Sequence, residues 1–145
     1  MPVLLIVASL FLILEVLNVV LLTFDPGSRR GNALGVFRAW ESTEADPAIH
    51  NLLRYLAAWV AASKLIFVLV VGMILVFGDD RSKVIAVGAL ALGVLAYFWR
   101  LRPLLNTIDA SAGLEPAGYS RRLTAGITVI AIALAAGFVS GLSSL

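Results

Sequence analysis

The chain has 145 residues, of which 61% are hydrophobic and 14% charged, with a net charge of +2 and a mean hydropathy of +1.00. A soluble domain carries about 25% charged residues, so a water-soluble globule is excluded. With no cysteine and a single histidine, disulfides, thiol catalysis and Cys- or His-cluster metal sites have no ligands to draw on, and no metal or cofactor is expected. The class expected is an all-α integral membrane protein. It reads as one four-transmembrane-helix bundle over residues 1–145, with a short interfacial helix in the first loop.

The first apolar run extends from Val3 to Phe24, interrupted only by Glu15 and Asn18. At about 1.5 Å per residue it crosses a hydrocarbon core of about 30 Å. A cleaved signal peptide is the rival reading. Met1-Pro2 supplies no basic n-region, however, and the run is long with an acid in its middle, so the span is expected to be retained. Asp25-Pro26-Gly27-Ser28 ends it with turn residues. Beyond them, Gly31 to Trp40 sets Ala33, Val36, Phe37 and Trp40 within about a third of a helical wheel, with Arg29, Arg30 and Arg38 around them. That pattern predicts an interfacial helix whose arginines hold anionic lipid headgroups.

Asp46 as N-cap and Pro47 at the first helical position open the second helix, which runs to Phe77. Its length of about 46 Å exceeds a bilayer core, so it tilts or projects, and residues 50–77 are its membrane part. His50 and Arg54 lie one turn apart, and Lys64 returns to within about 40° of His50, a basic stripe down one face. One histidine makes no metal site; His50 is a solvated group or a pH-sensitive one at the membrane surface.

Gly78 to Ser82 is too short for anything but an antiparallel neighbour, so spans two and three form a hairpin, the third covering about 84–105. Pro103 lies near its end, and Asn106 to Ser120 reads as a loop. The fourth span is about 123–142. It carries Ala133, Gly137 and Gly141 four apart, and the third carries Ala89 and Gly93. Small residues at this spacing let membrane helices approach closely, which predicts a packing seam within the chain or against another subunit.

Orientation follows from the cations near the span ends. Arg29, Arg30, Arg38, Arg54, Arg100, Arg102, Arg121 and Arg122 share the side of the first and third loops, and only Arg81 and Lys83 occupy the other. The arginine-rich side is expected to be cytoplasmic, with both termini outside, most simply in a bacterial inner membrane. On that side Trp40, Arg100, Arg102, Arg121 and Arg122 are expected, with the three loop arginines, at the lipid headgroups. The isoelectric point near 9.4 reflects this bias and not a nucleic-acid-binding domain.

Glu15 lies nine residues before Phe24, and Lys64 nine residues after Tyr55, which puts the two charges at equal depth in antiparallel spans. Each costs about 2.5–3.5 kcal/mol at mid-membrane if left alone, so an ion pair is expected, with Asn18 on the same face hydrogen-bonding it. Such a pair can hold two helices in register. An unpaired Glu15 would instead have a raised pKa and could load and release protons.

Leu14-Glu15-Val16-Leu17-Asn18 through Phe24-Asp25 resembles the first helix of the small multidrug-resistance transporters. The resemblance covers about a tenth of the chain and implies a proton- and drug-coupling role for Glu15. The long first loop, Lys64 in the second span and Trp99 at the membrane edge depart from that family's pattern.

No HExxH, GxSxG, paired-carboxylate span, Walker or glycine-fingerprint motif occurs, so neither catalysis nor nucleotide-driven transport is expected. Two non-enzymatic classes remain. One is a helical scaffold or accessory subunit that self-associates or joins a larger membrane protein. The other is a small proton-coupled transporter or ion pathway using Glu15.

Overall fold

The computed structural model describes residues 1–145 and contains four helical stretches long and apolar enough to cross a membrane. The first is α1 (Pro2–Phe24). It stops where the sequence requires: Asp25 precedes Pro26, whose ring disfavours helical geometry in the residue before it, and Asp25 turns out of the helix at φ −143°, ψ 64°.

The first loop is not the single interfacial helix expected over Gly31 to Trp40. Gly31 and Asn32 adopt left-handed φ values of 60° and 63°, which reverses the chain before any helix can start. A 3-10 turn (Leu34–Val36), the five-residue α2 (Arg38–Ser42) and a second 3-10 turn (Thr43–Ala45) follow. Ala33 and Val36 are 0% exposed, so much of the apolar arc is buried against protein. Gly35 has no room for a side chain, since a Cβ there would collide with the Gly27 carbonyl.

α3 (Pro47–Phe77) begins as the sequence reads: the Asp46 carboxylate accepts from the Ala48 N–H at 3.0 Å and the Ile49 N–H at 3.3 Å. α4 (Asp80–Ala96) is capped likewise, Asp79 accepting from the Ser82 N–H at 2.8 Å. The third span then runs further than residue 105. A π-helical turn (Tyr97–Leu101) leads into α5 (Arg102–Ala110), so Asn106 to Ala110 are helical and not loop. Pro103 fails to end the helix because it sits in the first turn of α5, where the ladder has already been reset by the wider π turn and its missing N–H costs little. α6 (Tyr119–Leu142) starts four residues before position 123, directly after Gly118 at φ 74°.

In the packing, α1 lies between α3 and α6, and α6 lies between α1 and α4. The hairpin expected of spans two and three is therefore only a minor contact; their short connection makes them consecutive without making them principal neighbours. The main core draws on four helices, with Leu4, Ala8 and Phe11 of α1, Val71 of α3, Val84, Val87 and Leu90 of α4, and Leu134 of α6. A smaller cluster of Leu22, Ala33, Ala57 and Ala61 seats the first loop between α1 and α3 at the arginine-rich end.

Candidate functional site

Leu4, Ala8, Phe11, Glu15, Asn18 and Leu22 recur at alternating steps of four and three along α1, and Ala57, Ala61, Lys64, Val68 and Val71 do the same along α3. Such stripes are what two antiparallel helices need to interlock along a left-handed seam. Glu15 and Lys64 occupy one position in each. The Lys64 ammonium lies 2.5 Å from Glu15 Oε2, with the Lys64 side chain 32% and the Glu15 side chain 20% exposed. One turn away Phe11 and Phe67 meet edge to face at 6.3 Å. The charges thus complete an apolar seam, each serving as the other's counter-ion.

Asn18 does not join the pair. Its amide donates to the Gly31 carbonyl, tying the reversal of the first loop back to α1. Helical spacing puts Asn18 on the face of Glu15 but one turn nearer the loop, and there a free carbonyl at the left-handed turn is the nearer acceptor.

The arginine-rich end is stitched across the molecule. The Arg38 N–H donates to the Gly113 carbonyl at 2.9 Å and the Glu115 N–H to the Val36 carbonyl at 2.8 Å, joining the first and third loops as a two-residue antiparallel bridge. Arg29 spans the same gap, 2.6 Å from Glu41 and 3.2 Å from Glu115. Its hydrogen bond to Glu41 and the charge of Glu115 hold its pKa above the ordinary value. Arg29 is therefore engaged within the protein through both carboxylates. Trp40 is likewise drawn inward, its ring 4.6 Å from that of His50. The Thr43 hydroxyl gives its only proton to the Trp40 carbonyl at 2.7 Å, so the 2.9 Å bond to His50 Nδ1 has the imidazole as donor. Of the basic stripe on α3, His50 is thus held by the loop, Lys64 by Glu15, and Arg54 is exposed. Arg30, Arg38, Arg100, Arg102, Arg121 and Arg122 are exposed at this end as well.

The small residues divide. Gly137 lies under α1, where a Cβ would sit 3.5 Å from Leu4 Cα, and at Gly141 a Cβ would overlap Leu4 and lie 2.9 Å from Val84 Cγ2. Ala133 is half-buried beside them. Ala89 and Gly93 are exposed, and nothing lies over Gly93, so they are not the partner seam within this chain. That place belongs to Gly88, where a Cβ would sit only 2.8 Å from the Phe138 ring. Only the chain's own packing separates Gly88 from Gly93, since α4 carries small residues on several faces.

Sequence reasoning also missed the joint between α6 and the π turn, where Tyr97 Oη and Thr124 Oγ1 share a 2.9 Å hydrogen bond. Aromatic residues beside an arginine mark an interface in sequence, but nothing there announces a π turn. No group of three or more His, Asp or Glu side chains comes together as a metal site. Comparison with protein-family models, curated proteins and solved structures finds no match to this chain.

Proposed function

We propose that the chain is an integral protein of a bacterial inner membrane, with both termini non-cytoplasmic, acting without catalysis as a scaffold or accessory subunit of an oligomeric membrane complex. The observation that supports this reading is the Glu15–Lys64 contact at 2.5 Å within the α1–α3 seam, since a pair so held serves as a register device. A one-heptad slip would set each charge against an apolar residue, so the pair selects one alignment. The outward Ala89 and Gly93 add support, because open space over Gly93 lets a helix of another subunit approach α4.

The test is the mass of the assembly released gently from its native membrane. The reading expects a mass well above the 15.4 kDa chain, falling towards it in Gly93→Leu while the dissociated variant melts at the temperature of the unaltered monomer. A monomer under all gentle extractions overturns it. A second reading, proton-coupled transport through Glu15, is favoured by the residual exposure of the pair. It requires flux driven by a pH gradient in liposomes that Glu15→Gln abolishes without unfolding; absence of such flux in the unaltered protein ends it.

A further inference from the structure

Between α5 and the first turns of α6 an open crevice of about 1040 Å³ runs along the arginine-rich end. It is built by one face of each helix: Arg102, Asn106 and Asp109 fall on one side of α5, and Ser120, Arg121, Thr124 and Thr128 on the facing side of α6. The volume lies just above the about 300–1,000 Å³ of small-molecule sites.

The polarity of the lining is graded. At the loop end Asp109 already accepts a hydrogen bond from the Ser120 hydroxyl, and Thr124 and Thr128 are likewise bonded within the protein. The groups left to meet a ligand are the Arg102 and Arg121 guanidiniums and the Asn106 amide. Arg102 is steadied by the Phe98 ring, with Cζ 6.0 Å from its centroid. Further down, Ala125 and the 66% exposed Val129 make the wall apolar and open to the side.

Depth decides what chemistry fits. Twenty helical residues rise about 30 Å, which is the thickness of a hydrocarbon core. Arg102 stands about that far along its helix from Asp80, and Arg121 about that far from Leu142. Two arginines therefore face one crevice at headgroup level, above an apolar wall. We infer that the α5–α6 crevice holds the phosphodiester headgroup of an anionic phospholipid between Arg102 and Arg121, with an acyl chain descending along Ala125 and Val129. This rests on the membrane reading above. It goes further in assigning one lipid to one site, where scattered interfacial arginines would attract anionic surfaces without choosing a place.

Each arginine near a membrane surface contributes about 1 kcal/mol towards an anionic lipid, and about 1.4 kcal/mol is tenfold, so the pair corresponds to about a thirtyfold preference. The full chain, stripped of lipid in detergent, is titrated with phosphatidylglycerol, phosphatidylcholine and inorganic phosphate, and bound lipid is counted by native mass. One phosphatidylglycerol is expected to be retained with about thirtyfold preference over phosphatidylcholine. It should be lost in Arg102→Gln with Arg121→Gln and kept in Arg100→Gln with Arg122→Gln, which removes the same charge outside the crevice. Ala125→Phe, filling the apolar wall at an exposed position, should lose it too and serves if the double arginine variant does not fold. Equal loss in both arginine pairs, no preference among lipids, or protection by inorganic phosphate equal to that by phosphatidylglycerol overturns the inference. Flotation with vesicles, run on each protein, separates this from failure of the membrane reading: a chain that does not float refutes the latter, and one that floats without retaining the lipid refutes the crevice alone.

Discussion

Removing one partner of the Glu15–Lys64 pair leaves the other charge in the seam with nothing at 2.5 Å to neutralise it. For fully buried pairs such a change costs about 3–5 kcal/mol. Here the side chains keep 20% and 32% exposure, which places Lys64→Met at the lower end, about 3 kcal/mol. Glu15→Leu together with Lys64→Met replaces the pair by apolar groups of similar length and should come within about 1 kcal/mol of the unaltered protein. With Glu15→Leu alone costing about the same as Lys64→Met, the coupling in this cycle is then about 5 kcal/mol. Asn18→Leu supplies the contrast. It breaks the bond to Gly31 and leaves the ion pair intact, so its cost should add to that of Lys64→Met within about 0.5 kcal/mol. The measurement is reversible unfolding in mixed micelles of mild detergent and dodecyl sulfate, followed by tryptophan fluorescence. A Glu15–Lys64 coupling below about 0.5 kcal/mol, or an Asn18–Lys64 coupling as large as that of the pair, would refute the reasoning.

The two glycine environments should separate cleanly in thermal melts of the monomer in detergent: Gly141→Leu, which must displace Leu4 and Val84, is expected to lower the melting temperature sharply, and Gly93→Leu to leave it unchanged. Single cysteines at Ser42 and Ser144 test orientation in intact cells, where an impermeant thiol reagent should label position 144 and spare 42. The Ser82 hydrogen bonds hold the Asp79 carboxyl below its ordinary value of 3.8, so its contribution is present above that pH and lost as pH falls through the lower folded value. The melting temperature of Asp79→Asn, a cap that does not titrate, should therefore fall less than that of the unaltered protein between pH 5 and pH 2, about the range in which carboxylates protonate.

What was legible in the sequence was what local chemistry dictates. Asp46-Pro47 and Asp25-Pro26 set helix ends by capping and by steric exclusion, and those ends stand where the residues put them. Equal depth of Glu15 and Lys64 follows from rise per residue alone, and the two charges meet. The misses share a different cause. Asn18 turned to the loop because Gly31 and Asn32 reverse the chain towards it, and left-handed residues are invisible to a helical wheel. The wheel also supplied a helix for Gly31 to Trp40 by assuming the geometry it was meant to detect. Pro103 reads as a terminator only if the hydrogen-bond ladder before it is regular, and the π turn removes that premise. The choice of Gly88 over Gly93 lies in which face α4 turns to Phe138, a tertiary fact.

The bridge between the first and third loops has a consequence for biogenesis. Everything that α1 and α3 need from one another is complete by residue 77, so the first pair of helices can dock while the rest of the chain is still on the ribosome. The backbone partners of Val36 and Arg38, however, are Glu115 and Gly113, made some 75 residues later. Until then the first loop keeps those groups in water, and the earliest-made connection in the protein is among the last to reach its final form. A chain ending before Gly113 would carry both residues of the ion pair but neither of the backbone partners that latch the first loop.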